Sequence, residues 1–251
     1  MNNFNKLIIA FMILLSSNFA NALEVDATIS WANRVEMSSQ VSGVVSVVNV
    51  TAGQQVEKGT LLLQLDQRLF KAQHGNTRAQ VASVNEVKRE AKRELDRSLV
   101  LYEQTILAEH ELQAAKNAHK KAQADYKKKL AENLKAKIDL EYSTLEAPFK
   151  AAVLKVLRNK GESINALTTT PLMVVIAEAE KMKATGNVAG DALSQIKTGQ
   201  AAEVSVSGKT YEGTVKSIGL EPEKGSHLYK VEVEFQSTDL IRAGSKASIS
   251  L

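Results

Sequence analysis

Few side chains in this sequence are placed to do covalent chemistry. Its 251 residues contain no cysteine, which removes thiolate nucleophiles, disulfides, Cys-based zinc sites and a lipid-modified N-terminal cysteine together. The four histidines, His74, His110, His119 and His227, form no i, i+4 pair and have no carboxylate set at ligand spacing, so no metal centre is expected. There is no glycine-rich phosphate loop, no nucleophile-elbow serine and no methionine cluster suited to monovalent copper. Glu109 and Glu111 stand at the start of a helical pattern, where the helix dipole explains them without catalysis. The expectation is a protein that is not an enzyme and holds no cofactor, so its chemistry must be that of contact surfaces.

Composition narrows which surfaces. The chain is 44% hydrophobic, 24% charged and 5% aromatic, which describes a globular protein with one or two modest cores. Three prolines and thirteen glycines beside abundant Ala, Lys, Glu and Gln point to long helices. A net charge of +4 is too mild to argue for a nucleic-acid partner. Residues 1–22 read as a secretory signal: Lys6 precedes the apolar run from Leu7 to Leu15, and Ala20-Asn21-Ala22 offers a small-x-small cleavage site. The run is shorter than the roughly 20 residues a spanning helix needs. The mature chain is therefore expected to begin at Leu23 and to be exported, with an uncleaved anchor as the alternative if the apolar run extends through Phe19.

Three zones follow. From Leu23 to Asp66 short β-type runs alternate with turn glycines, as in Val41–Val50, Ala52-Gly53 and Lys58-Gly59 before Leu61–Leu65. Residues 67–142 lack proline and read as two helices. A heptad frame puts Phe70, Thr77, Val84, Ala91 and Ser98 at one core position and Val81, Leu95 and Tyr102 at the other, with Lys88 as a violation. In the second helix Leu112, Ala115, Ala122 and Tyr126 give way to Leu130, Leu134 and Ile138 at four-residue steps, which predicts a stutter. Gln104–Ala108 interrupts the pattern as the turn of a helical hairpin. Arms of about 34 residues would run about 50 Å and must project from the domain that carries them. The segment holds 16 Lys plus Arg against 11 Asp plus Glu, the pattern of a solvated helix pair with a basic bias.

Strands return after Tyr142, through Leu145–Phe149, Val153 and Leu172–Ile176, and a last strand-rich zone from about Lys181 suggests a small β-barrel. A short helix is expected at Gly190–Ile196, with Asp191 in its first turn. The strand-rich segments that bracket the hairpin repeat one another. Gly43 stands ten residues before Gly53 as Ala151 stands ten before Gly161, so that Val45 aligns with Val153 and Val56 with Ile164. Neither half has enough strands to bury a face, so the halves must pair in space.

Gly43-Val44-Val45 through Gly53, Val56, Lys58-Gly59 and Leu65-Asp66, with Ala147-Pro148-Phe149 after the hairpin, resembles the lipoyl-like domain of periplasmic adaptor subunits. These are the membrane fusion proteins, HlyD-type, of RND-type tripartite efflux pumps. Val204–Leu251, with Tyr211-Glu212-Gly213 and Ala243-Gly244-Ser245, is similar to the adaptors' β-barrel domain. The resemblance implies an α+β, mainly β fold: a lipoyl-like barrel-sandwich hybrid of residues 23–66 and 143–178, an inserted α-helical hairpin of residues 67–142, and a β-barrel of residues 179–251. Two departures stand out. Ala151-Ala152 replaces a usual glycine, which predicts an altered turn there, and the chain stops at Leu251, which implies a short form without the membrane-proximal domain.

The partners implied are an inner-membrane RND transporter, an outer-membrane channel and further copies of the chain as a trimer or hexamer. Relatives that dock onto a channel carry an Arg, a Leu four residues on and a Ser seven beyond that at the hairpin tip. Arg97 and Leu101 match and Ala108 replaces the serine. Arg97 would offer charge-assisted hydrogen bonds and Leu101 apolar contact, with Ile106 and Leu107 joining them. Two other readings are weighed: an adaptor of a type I secretion exporter, which usually keeps a membrane helix and a longer hairpin, and an exported binding protein whose basic hairpin captures an acidic ligand or nucleic acid.

Overall fold

The computed structural model describes residues 23–167, 170–239 and 241–251, so the signal-sequence expectation lies outside the described residues. In chain order the elements begin with β1 (Glu24–Trp31), β2 (Arg34–Ser38), β3 (Gly43–Val48), β4 (Gln55–Val56) and β5 (Leu61–Leu65). The helices α1 (Arg68–Glu103) and α2 (Glu109–Tyr142) come next. The remaining strands are β6 (Thr144–Glu146), β7 (Ala151–Val156), β8 (Ser163–Ile164), β9 (Leu172–Glu178), β10 (Lys181–Ala189), β11 (Ala201–Val206), β12 (Lys209–Pro222), β13 (Leu228–Gln236) and β14 (Lys246–Ser250). They form two compact units.

The first unit, residues 23–34 with 177–251, is a closed barrel in the order β1-β10-β13-β12-β11-β14. This corrects the expectation that residues 23–34 belong with the lipoyl-like domain. Val25, Ala27 and Ile29 alternate inward on β1, and β1 bridges β10 to β14. Without that strand two edges would stay unpaired, and closure removes them. The core is small and aliphatic, with Ile29, Val204, Val231, Val233 and Ile249 fully buried. Gly213 is required for close approach: a Cβ there would sit 2.8 Å from Val233 Cγ1 and 3.0 Å from the Glu234 carbonyl oxygen. The helix expected at Gly190–Ile196 is a single 3₁₀ turn, Ala192–Gln195, with the Asp191 carboxylate accepting the Ala192 amide. On the barrel wall the Glu232 carboxylate accepts from Lys183 and Lys230, each at 3.0 Å, and from the Ser217 hydroxyl at 3.1 Å. Burial alone would raise its pKa, but these three donors outweigh it and hold the group at about 2.

The second unit, Val35–Ile176, contains two four-stranded sheets, β2-β9-β7-β4 and β6-β5-β3-β8. Leu62, Leu63, Leu65, Val153, Met173 and Ile176 fill the space they enclose. The sequence repeat appears as reciprocal pairing: Gly43 lies opposite Ile164, and Ala151 opposite Val56. The Gly53 amide donates to the Val153 carbonyl, and the Gly161 amide donates to the Val45 carbonyl, both at 2.8 Å. Both glycines are left-handed, at φ +88° and +90°, a conformation that costs other L-residues about 1–2 kcal/mol. No altered turn occurs at Ala151-Ala152. Ala151 opens β7, is fully buried, and fills core space with its methyl group.

Gly213→Ala overpacks the barrel wall and is expected to lower stability by about 1–3 kcal/mol in denaturant titration. Glu232 has a folded pKa below its ordinary value, so its contribution is complete above about pH 4.5 and fades as pH falls toward about 2. Glu232→Gln should abolish that part of the acid destabilisation and cost on the order of 2 kcal/mol at pH 7; parallel pH–stability profiles of the two proteins would refute it.

Candidate partner-docking site

The site is built from the root of the hairpin outward. The Gln67 side-chain amide donates to the hydroxyls of Ser143 and Thr144, at 2.9 and 2.7 Å, and the Leu65 amide donates to the Ser143 carbonyl at 2.8 Å. These bonds clamp the entry and exit strands across a long insertion. Asp66 accepts the side chain and the amide of Arg68, which hold its carboxyl at about 2. A carboxylate there also suits the positive end of α1. The helices have 36 and 34 residues, so the shaft runs about 50 Å.

The seam between α1 and α2 keeps a heptad throughout, which corrects the expected stutter. Leu112, Ala122 and Ala136 are the buried positions of α2, whereas Leu130 is 46% exposed and Leu134 56% exposed. The four-residue leucine steps therefore wind outward. Small residues and polar groups occupy the seam instead. Buried Thr77 places its hydroxyl 3.1 Å from Asn133 Oδ1. Lys88, the apparent violation, sets its ammonium 3.8 Å above the Tyr126 ring, a contact that retains the charge and covers the ring. Ion pairs within the helices, Glu86 with Arg89, Glu90 with Arg93, Glu94 with Arg97 and Lys92 with Asp96, each add about 0.3–0.5 kcal/mol.

At the tip α1 ends in a Schellman turn. The Ile106 amide donates to the Leu101 carbonyl at 3.0 Å and the Thr105 amide to the Tyr102 carbonyl at 2.9 Å, which satisfies the last carbonyls of the helix. Thr105 occupies the left-handed position, φ +60°. The next helix begins with half of a capping box: Glu111 accepts the Ala108 amide at 3.1 Å, but Ala108 has no side-chain oxygen to return the bond.

The five residues expected to dock are thus placed as follows. Leu101, Ile106, Leu107 and Ala108 meet in the turn, with Ile106 69% exposed and Leu101 and Leu107 half-buried. Arg97 lies one helical turn below Leu101 and is engaged by Glu94 at 2.8 Å. Thr105 escaped sequence reasoning, because its left-handed φ becomes visible only once the turn closes.

Residues 33–176 match a family profile described as "RND MFP, barrel-sandwich hybrid domain". The chain belongs to this family. Among curated proteins it is similar to multidrug resistance protein MdtA of Yersinia enterocolitica serotype O:8 / biotype 1B, 29% identical over 148 residues, which are 59% of this chain and 33% of that protein. MdtA of Yersinia pestis strain Pestoides F is 28% identical over the same shares. The matched stretch thus spans a third of the relatives' length. Two solved structures share the fold over 91% of the chain. One is a MacA-MexA chimeric protein containing the Pseudomonas aeruginosa MexA alpha-hairpin domain, with TM-score 0.64, 21% identity and 79% of its length covered. The other is the membrane fusion protein Spr0693 of Streptococcus pneumoniae R6, with TM-score 0.68, 15% identity and 97% covered.

Ala108→Ser would complete the capping box, its hydroxyl accepting the Glu111 amide. The start of α2 should gain about 1 kcal/mol, read as slower amide exchange over residues 109–113.

Proposed function

We propose that this chain is the periplasmic adaptor of a tripartite efflux pump, linking an inner-membrane RND transporter to an outer-membrane channel and sealing the conduit between them as a trimer or hexamer. The observation that carries the reading is the family match across residues 33–176, a stretch whose paired half-motifs root a two-helix shaft. Such a shaft suits a spacer: it is stiff, braced by a continuous seam, and ends in exposed apolar side chains. The work is mechanical, since the hairpin sets a distance and its tip supplies a contact, and no covalent step is required. The docking residues are those of the tip, Arg97, Leu101, Ile106, Leu107 and Ala108. Residues 1–22 export the chain, and its association with the inner membrane runs through the transporter. No helix among the described residues is long and apolar enough to cross a membrane. An RND match favours this reading over a type I exporter adaptor.

The lack of cysteine gives a clean background for testing contact. In the cells that produce the chain, Gln104→Cys at the tip is expected to crosslink to an outer-membrane channel subunit identified by mass spectrometry. Lys128→Cys, on the exposed middle of α2, should not. Equal labelling at both positions, or none at either, would remove the docking role from the tip.

A further inference from the structure

The basic bias of the hairpin is concentrated in the middle of α2. Residues 112–131 hold six lysines and a single carboxylate, Asp125, which accounts for the whole surplus of five positive charges. Along most of the shaft cations are answered locally: Arg89, Arg93 and Arg97 of α1 and Lys129 and Lys135 of α2 each pair with a carboxylate three or four residues away. Lys116, Lys120, Lys121, Lys127 and Lys128 form no such pair among the described residues, and Asp125 engages none of them. At about 100° per residue the five fall within about 140° of arc and run about 18 Å along the axis. They lie on the side of α2 opposite the buried Leu112, Ala122 and Ala136, and all but Lys116 are exposed. The fold gains nothing from this row: it stands away from the seam, and Lys116 and Lys120, four residues apart, repel one another.

A row of cations on the convex outside of a helix encloses no small anion. Its complement is extended and anionic, with charges that can meet several lysines along the axis. Another copy of the chain does not supply that complement, because every shaft carries the same surplus and apposed rows repel. A membrane surface would require the shaft to lie flat, against its work as a projecting spacer. We infer that the lysine row of α2 binds the cell-wall glycopeptide, a polymer bearing free carboxylates, where the shaft crosses the exported compartment. This rests on the adaptor reading above for the compartment and the upright shaft, and it places a second contact at mid-shaft. The contact is electrostatic and fixes the height of the wall along the hairpin.

The test uses the exported chain, purified from the cells that produce it and sedimented with wall sacculi isolated from the same cells. The parent should co-sediment, and binding should fall steeply with added salt and once the wall carboxylates are converted to neutral amides. The combined variant Lys116→Gln, Lys120→Gln, Lys121→Gln, Lys127→Gln and Lys128→Gln keeps helix propensity and should bind about tenfold more weakly. A control with Lys58→Gln, Lys155→Gln, Lys160→Gln, Lys197→Gln and Lys224→Gln changes net charge equally at exposed positions outside the hairpin and should stay within about twofold of the parent. Equal loss in both variants would reduce the attraction to net charge and overturn the proposal, as would binding that survives amidation of the wall or a preference for phosphatidylglycerol vesicles over sacculi. The Gln104→Cys crosslink keeps the two readings apart. It should persist in the α2 variant, and a crosslink that fails in the parent while sacculus binding still depends on the row would remove the adaptor reading and leave the wall contact.

Discussion

The amides of Gly53 and Gly161 reach across to the carbonyls of Val153 and Val45 at the same 2.8 Å, and the architecture of the second unit depends on that exchange. Each side of the hairpin supplies four of the unit's eight strands, and neither sheet is complete without strands from both sides. Each lends its two-residue strand to the other half, β4 to β7 and β8 to β3, so the core closes only when both are present. Left-handed glycines make the two turns without strain. Because the halves lie on either side of the hairpin in sequence, their union also brings Gln67 to Ser143 and Thr144. The shaft is therefore held at its base by the same pairing that forms the domain.

From that base the hairpin manages a conflict between length and stability. A helix pair of this length cannot rely on a broad apolar core, because it has water on most sides. Its seam is narrow and uses small residues, a threonine–asparagine contact and a lysine over a tyrosine. Ladders of ion pairs within each helix supply modest local support. Leu130 and Leu134 are left facing outward, an apolar ridge whose placement follows from the tighter fit of alanine in the seam. The charge pattern then separates shaft from tip, with lysines along α2 and carboxylates around the turn.

Much of this was legible before any coordinates. Helix composition, the break at Gln104–Ala108 and the spacing of Gly43, Gly53, Ala151 and Gly161 are local signals, and local signals survive in a linear string. Two errors share one cause. The four-residue steps of Leu130, Leu134 and Ile138 predict a stutter from hydrophobicity alone, but which residues face a seam is settled by how closely two backbones can approach. Likewise β1 read as part of the segment it adjoins, whereas strand membership follows hydrogen-bond partners more than 150 residues away in β10 and β14.

The sequence by itself determined the alternation of strands and helices, the repeat, the absence of thiol chemistry and the family resemblance, because propensity, periodicity and residue type act over a few neighbours. Only the tertiary structure decided that β1 closes the barrel, that Lys88 rests on Tyr126, that Arg97 is engaged by Glu94, and that Thr105 is forced left-handed at the apex with Ile106 exposed beside it. Each of these depends on which groups compete for the same space or the same hydrogen bond, and that competition exists only once distant segments have met.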